Sequence, residues 1–306
     1  MVEKLRHAIL GPGGIGGLMG ASLVQAGASV TLVVRPEALA QYPDRIHLES
    51  PFGNISAPIS RSAQVPACDL LWITVKGPQL EPALRSITHP ESIRAMVPLL
   101  NGIDHLALLG ERYGRGKVIA ATIAVECERV APGHFIQRSP FARLYVSSDG
   151  QDLLGSTLAE LENIGFQCKF FDDEATLMWS KIVFLAPMAL ATSAAALPIG
   201  DVMSDSKRKA QWEACVRESA AVAAAQGAKV DPESVISGIL KMPPDMRSSM
   251  QKDVAQGNPP ELDAIAGPIL RAAGRHGIEV PSTRALVRAV QARVSEKRSR
   301  EVPAKN

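Results

Sequence analysis

The segment His7-Ala8-Ile9-Leu10-Gly11-Pro12-Gly13-Gly14-Ile15-Gly16-Gly17 carries glycines in the spacing GxGxxG, after a short apolar run and before a helical pattern. That spacing suits a pyrophosphate. Gly11 permits the tight turn out of a strand, Gly13 lets backbone approach the phosphates, and Gly16 lets the next helix pack on the strand. The helix N-terminus adds amide donors and the positive end of its dipole. Gly-rich turns are common, so context carries the reading: an apolar helix over Leu18 to Ala26, then Gly27, then a second strand over Ser29 to Val34. Gly11, Pro12, Gly13, Gly14, Ile15 and Gly16 are therefore the candidate dinucleotide loop. The second strand ends Val33-Val34-Arg35-Pro36, where a protein selecting NAD usually carries a carboxylate, about 20 residues past the first glycines. A guanidinium there pairs with a 2'-phosphate, which points to NADP, and Glu37, beyond the proline, is not read as the missing acid. The alternative for Arg35 is a solvated side chain at the start of a loop.

Further along stand Lys76 in Trp72-Ile73-Thr74-Val75-Lys76-Gly77 and Asn101 in Pro98-Leu99-Leu100-Asn101-Gly102. Ligands of open wound sheets bind outside the carboxyl ends of the strands, and Gly11, Arg35, Lys76 and Asn101 each follow one of the first four expected strands. Lys76 could neutralise a phosphate or a carboxylate, or be a solvated loop lysine. Asn101 could donate and accept near a nicotinamide, but Asn-Gly is also a common turn pair. Lys181 lies in Met178-Trp179-Ser180-Lys181-Ile182-Val183-Phe184-Leu185-Ala186-Pro187, a helix apolar nearly all round. A lysine there is either used or paired, or it snorkels to the surface. Pro187 removes an amide and predicts a kink just past Lys181. Asn258-Pro259-Pro260-Glu261 fits N-cap to N3 of a helix, so Glu261 can complete a capping box.

These residues need elements to hold them. Strand and helix alternate from residue 5 to about 170, with strands over Leu5 to Leu10, Ser29 to Val34, Asp69 to Val75, Arg94 to Leu100 and Lys117 to Ala124. Ile46 to Leu48 and Asn54 to Ala57 form a candidate hairpin, Phe135 to Arg138 and Ala142 to Val146 look like closing strands, and Leu153 to Ile164 reads as a helix. After Asp172-Asp173 the pattern is helical: Glu174 to about Ala196, Ser206 to Gln226, Pro232 to Leu240, Arg247 to Val254, Glu261 to His276, and Pro281 to Lys297. The expected fold class is α/β, a Rossmann-type doubly wound sheet over residues 1–172 followed by an all-α domain over residues 173–306.

Composition narrows the partners. The 306 residues are 46% hydrophobic and 21% charged with net charge +2, which gives no reason to expect nucleic acid or an anionic membrane. The basic run Glu296-Lys297-Arg298-Ser299-Arg300 reads as a frayed, solvated tail. Cys68, Cys127, Cys168 and Cys215 are widely separated and the six histidines lack ligand spacing, so neither a disulfide frame nor a metal site is expected. The most apolar stretch, Ile182 to Ile199, is interrupted by Pro187 and Pro198. A cytoplasmic protein is expected, and the apolar content of its last helices permits a homodimer without requiring one.

The motifs GPGGIG with Arg35, TVKGPQ, LNG, WSK, SSM, and ELD followed by HGIEVP occur in this order over almost the whole chain. Together they resemble the ketopantoate reductase (2-dehydropantoate 2-reductase) family of pantothenate biosynthesis. The resemblance implies a Rossmann domain and a helical domain with NADPH and a 2-oxo acid or ketone in the cleft between them. It further implies Lys181 as general acid, Glu261 as an acid bonding substrate or cofactor hydroxyls, Asn101 as a contact of both nicotinamide and substrate, Ser249 as a substrate ligand, and Lys76 beside the cofactor. The chain departs from the pattern where the family commonly has asparagines: here stand Leu185, Ala189, Ile199 and Met246. A pocket without those amides discriminates weakly for a hydroxylated acid, which points to a more apolar carbonyl substrate. Two other readings remain: a hydroxy-acid dehydrogenase working in the oxidising direction, and a non-catalytic NADP sensor.

Overall fold

The computed structural model describes residues 4–301. The chain falls into two compact units, Met1–Leu100 with Asp104–Leu177, and Asn101–Ile103 with Met178–Asn306. The division lies at Leu177, inside a helix, rather than at the expected Asp172, and it assigns the Asn101 turn to the helical unit.

The first unit opens with β1 (Arg6–Leu10), α1 (Gly14–Gln25), β2 (Ser29–Val33) and a single turn, α2 (Pro36–Leu39). There follow β3 (Arg45–Glu49), β4 (Ile55–Pro58), β5 (Ser60–Ser62), β6 (Cys68–Ile73), α3 (Leu80–Leu84), β7 (Ile93–Pro98) and α4 (His105–Tyr113). The unit continues with β8 (Ala121–Ala124), β9 (Cys127–Ala131), β10 (His134–Gln137), β11 (Arg143–Ser147), α5 (Gln151–Glu162) and β12 (Gln167–Phe171). A five-stranded parallel sheet has the order β5-β2-β1-β6-β7. Its central strands are near-continuous apolar runs, as strands covered on both faces require, and Ile9, Leu32, Leu70, Trp72 and Val97 are sealed from solvent.

The expected hairpin forms, with β3 antiparallel to β4, and its alternating burial marks a strand with one face in water. It belongs to a second sheet, β4-β3-β10-β9, and α1 packs against both this sheet and the parallel one. Gly17 is a point of close approach: a Cβ there would run into the ring of Phe135 on β10. The strand expected over Lys117 to Ala124 is not a fifth parallel strand. Val118 makes a single bridge to Met96, and β8 then pairs antiparallel with β11 in a third sheet, β12-β11-β8. Extended propensity does not specify the partner.

The second unit comprises α6 (Glu174–Ala195, its first turn in the first unit), α7 (Ile199–Ser204), α8 (Ser206–Ala225), α9 (Pro232–Leu240), α10 (Ser249–Gln256), α11 (Leu262–His276) and α12 (Pro281–Glu301). Asp205 and Asp231 cap α8 and α9, each accepting from two first-turn amides. Gly257 and Gly277 end α10 and α11 in left-handed conformation. Pro187 does not interrupt α6, which alone among the described residues is long and apolar enough to cross a membrane; 67% of its apolar window is buried, as in a core helix. The basic run from Glu296 is helical in its backbone rather than frayed; its side chains beyond Lys297 lie outside the described residues.

A buried ring pair gives the parallel sheet a pH dependence. Trp72 Nε1 donates to His7 Nδ1 at 3.1 Å, and burial pulls the His7 imidazole down to about 4, against the opposing carboxylate of Asp69. The unfolded chain therefore takes up a proton near pH 6.5 that the folded chain refuses until about 4. Stability from this group is complete above pH 6.5, is lost as pH falls toward 4, and amounts to about 3 kcal/mol. Urea unfolding between these pH values should show that slope in the native protein and a flatter one in His7→Gln, which keeps an acceptor for the indole. Equal slopes would remove His7 as the cause.

Candidate active site

In the first unit, Gly11 turns the chain out of β1 at φ +88°. Thr74 Oγ1, just past β6, donates to the Gly11 carbonyl at 2.8 Å and ties the turn to the neighbouring strand. Gly16 is enclosed: a Cβ on it would meet Thr74 Oγ1, the Gly11 carbonyl oxygen at 2.7 Å and Ile9 Cγ2 at 3.0 Å. Gly14 is equally confined, beneath the Cys127 carbonyl. Gly13 is different. It caps α1 without any side-chain hydrogen bond, and a Cβ there would meet nothing within 4 Å. The first-turn amides of Gly14, Ile15 and Gly16 have no acceptor within their own helix. An open approach over Gly13, donors from α1 and a rigid turn behind them fit a pyrophosphate; Pro12 is buried in that turn.

Arg35 directly follows this frame as the residue before α2, its side chain 81% exposed. Glu37 is not out of reach beyond the proline: Pro36 begins α2, and the turn brings Glu37 Oε1 to 3.5 Å from Arg35 Nη1. Lys76 is exposed past β6, at the start of a short 3-10 turn over Gly77–Gln79.

The second unit brings Asn101, Lys181 and Glu261 together. Asn101 Nδ2 donates to Glu261 Oε2 at 2.9 Å. The turn holding Asn101 needs glycine next, because Gly102 sits at φ +86° and a Cβ on it would meet the Ala264 carbonyl oxygen at 2.6 Å. Glu261 is only 9% exposed. Its capping-box role is overturned: Glu261 is itself the N-cap of α11, its side chain caps no amide, and Asn258 donates instead to Gln256. Asn258 and Pro259 each precede a proline, which disfavours helical backbone and delays α11 to Leu262. The carboxylate accepts from Asn101 and acts on Lys181 through its charge.

Lys181 lies two turns into α6, half-buried, with Ile182 and Val183 fully enclosed beside it. Desolvation pulls its ammonium down to about 8, while the carboxylate of Glu261 opposes the fall. Glu261→Gln keeps an acceptor for Asn101 and removes the charge, so Lys181 should titrate below about 8 in an NMR titration of methyl-labelled lysines. An unmoved midpoint would show that the carboxylate has no hold on it.

From Lys181 the same face of α6 runs through Leu185 and Ala189, spaced by four residues. Ile199 and Met246 are neighbours: the Ile199 amide donates to the Met246 carbonyl at 3.0 Å, and the Gly200 amide donates to the Pro244 carbonyl at 2.8 Å. Ser249 is exposed at the first position of α10. The residue missed was Ser248, 3% exposed, which caps α10 by accepting from the Gln251 amide and meets Thr192 Oγ1 of α6 at 2.9 Å. A serine immediately before a segment with helical spacing of Met250 and Val254 is the available signal.

Two family models cover most of the chain. Residues 7–149 match that of the ketopantoate reductase PanE/ApbA family, and residues 173–294 match that of its C-terminal domain. The 2-dehydropantoate 2-reductase of Caulobacter vibrioides is 30% identical over 297 residues, covering 92% of this chain and 96% of that protein. The crystal structure of 2-dehydropantoate 2-reductase from Methylococcus capsulatus superposes with TM-score 0.85 at 24% identity, over 99% of this chain and 100% of the other. D-mandelate dehydrogenase, in its ternary structure with NADH and anilino(oxo)acetate, gives 0.82 at 21%, over 95% and 99%. With a glycine loop closing a parallel sheet and a helical unit holding a lysine in the field of a carboxylate, these relatives make the chain an oxidoreductase acting on a CH–OH or C=O group. The chain belongs to the ketopantoate reductase family.

Proposed function

We propose that the protein is an NADPH-dependent reductase of 2-oxo acids bearing an apolar side chain, with Lys181 as general acid. The observation that carries this reading is the grouping of Lys181, Glu261 and Asn101, in which an ammonium titrating near 8 lies within the field of one buried carboxylate. Reduced nicotinamide, when bound, supplies hydride to the carbonyl carbon. The ammonium of Lys181 stabilises the developing alkoxide and then gives it a proton, a task suited to an acid whose pKa lies near the working pH. Glu261 keeps Lys181 protonated against desolvation, and Asn101, held on Glu261, is positioned to present its amide to substrate and nicotinamide. Arg35 would pair with the 2'-phosphate of NADPH and the Gly11–Gly16 loop with its pyrophosphate, while Lys76 adds positive charge beside them. Ser249, exposed at the N-terminus of α10, would receive the substrate carboxylate.

The apolar substrate class follows from Leu185, Ala189, Ile199 and Met246. Ala189 and Ile199 are buried and Leu185 and Met246 half-buried, so none offers an amide to a substrate hydroxyl. The oxo acid derivative named with D-mandelate dehydrogenase also carries an aryl group, in keeping with this class. The test is a panel of aliphatic and aryl 2-oxo acids beside ketopantoate, read by loss of NADPH absorbance at neutral pH. Apolar acids should exceed ketopantoate by about tenfold or more in kcat/KM, the worth of roughly 1.4 kcal/mol of differential binding. Ketopantoate reduced as well as the best of them would overturn the substrate class.

A further inference from the structure

We propose that Glu37 is a cofactor-selectivity residue that makes this a dual NADPH/NADH site, with NADPH favoured by no more than about tenfold. The proposal rests on the reading of Gly11–Gly16 as the pyrophosphate grip of a nicotinamide dinucleotide. At the carboxyl end of β2 in such folds, an acid accepts hydrogen bonds from the ribose hydroxyls of NAD, whereas an arginine accommodates the 2'-phosphate of NADP. This chain places both there. Arg35 Nη1 lies 3.5 Å from Glu37 Oε1, with side chains 81% and 66% exposed. The backbone fixes the pair: Pro36 occupies the first position of α2, and the Ala38 amide donates to the Arg35 carbonyl at 2.9 Å, folding Glu37 back toward the guanidinium.

The two nucleotides meet this pair differently. A ribose with a free 2'-hydroxyl has Glu37 as an acceptor, and Arg35 remains its counter-ion. A 2'-phosphate must draw Arg35 away from Glu37 and then bear the repulsion of the carboxylate. Because both side chains are in water, the penalty is small, on the order of a severalfold change in affinity rather than a block. Selectivity is thus held between the two cofactors.

The experiment is direct titration of the purified full chain with NADPH and with NADH, followed by nicotinamide fluorescence without any keto acid. The native protein should bind both with dissociation constants within about tenfold. Glu37→Gln should tighten NADPH and weaken NADH, moving their ratio by about tenfold at low salt and by less at high salt. Arg35→Gln should lose NADPH affinity by about tenfold while keeping NADH. A ratio unchanged within about twofold in Glu37→Gln, or a native preference above about a hundredfold for either nucleotide, would overturn the role of Glu37. Failure of the native chain to bind either nucleotide would overturn the pyrophosphate grip itself, a result distinct from an unchanged ratio.

Discussion

Lys181→Met is expected to lower kcat for 2-oxo acid reduction by about 100- to 10,000-fold, the usual worth of a positioned acid, with the NADPH dissociation constant unchanged. Methionine suits the apolar surroundings of Ile182 and Val183 but leaves the buried Glu261 carboxylate without its ammonium, so thermal unfolding of the variant is the check that it folds. Lys181→Arg should not rescue turnover, because a guanidinium stays protonated at any working pH and cannot give up its proton. The native pH profile supplies the sign. Reduction needs the ammonium, so kcat should fall as pH rises through about 8; oxidation of a hydroxy acid needs the free amine and should fall as pH drops through the same value. A sensor that binds NADP without turnover would show neither limb. Native kcat in Lys181→Met would remove the residue from the chemistry.

Two glycines three residues apart, Gly13 and Gly16, separate fold from ligand. Gly16→Val inserts carbon against the Gly11 carbonyl and Ile9, so it should cost about 1–3 kcal/mol of stability and distort the loop proposed to grip the cofactor. Gly13→Ala meets no atom within 4 Å and has an ordinary negative φ of −79°, so its stability should stay within about 0.5 kcal/mol of native. Its methyl group would nonetheless stand where backbone must approach phosphate. Urea midpoints and NADPH titrations of the two variants distinguish these outcomes: Gly16→Val should lose on both scales, Gly13→Ala on affinity alone by about tenfold or more. Native NADPH affinity in Gly13→Ala would mean that the phosphates do not pass over this position.

Much of this frame was legible from residue types. Strands β1, β2, β6 and β7 are apolar runs covered on both faces, and the chemistry-bearing residues Gly11, Arg35, Lys76 and Asn101 follow them in turn. Strands β5 and β9 were not read because they are edges: Ser60–Ser62 is short and polar, and Cys127–Ala131 is charged and mostly exposed, features that edges use against stray pairing. Asn258-Pro259-Pro260-Glu261 fitted a cap by spacing, yet two successive prolines outweighed the spacing. Glu37 lies beyond a proline, yet proline is well suited to the first position of a helical turn and brings Glu37 back to Arg35. The meeting of Asn101 with Glu261 could not be read at all: the residues are 160 apart, and nothing local marks one as the other's donor.

The loop carrying Met246 is fastened to the start of α7 by main-chain bonds, Ile199 to Met246 and Gly200 to Pro244. Because those bonds involve no side chain, substitution at Ile199 or Met246 leaves both of them available, and the join between loop and helix tolerates a change of residue type on either side.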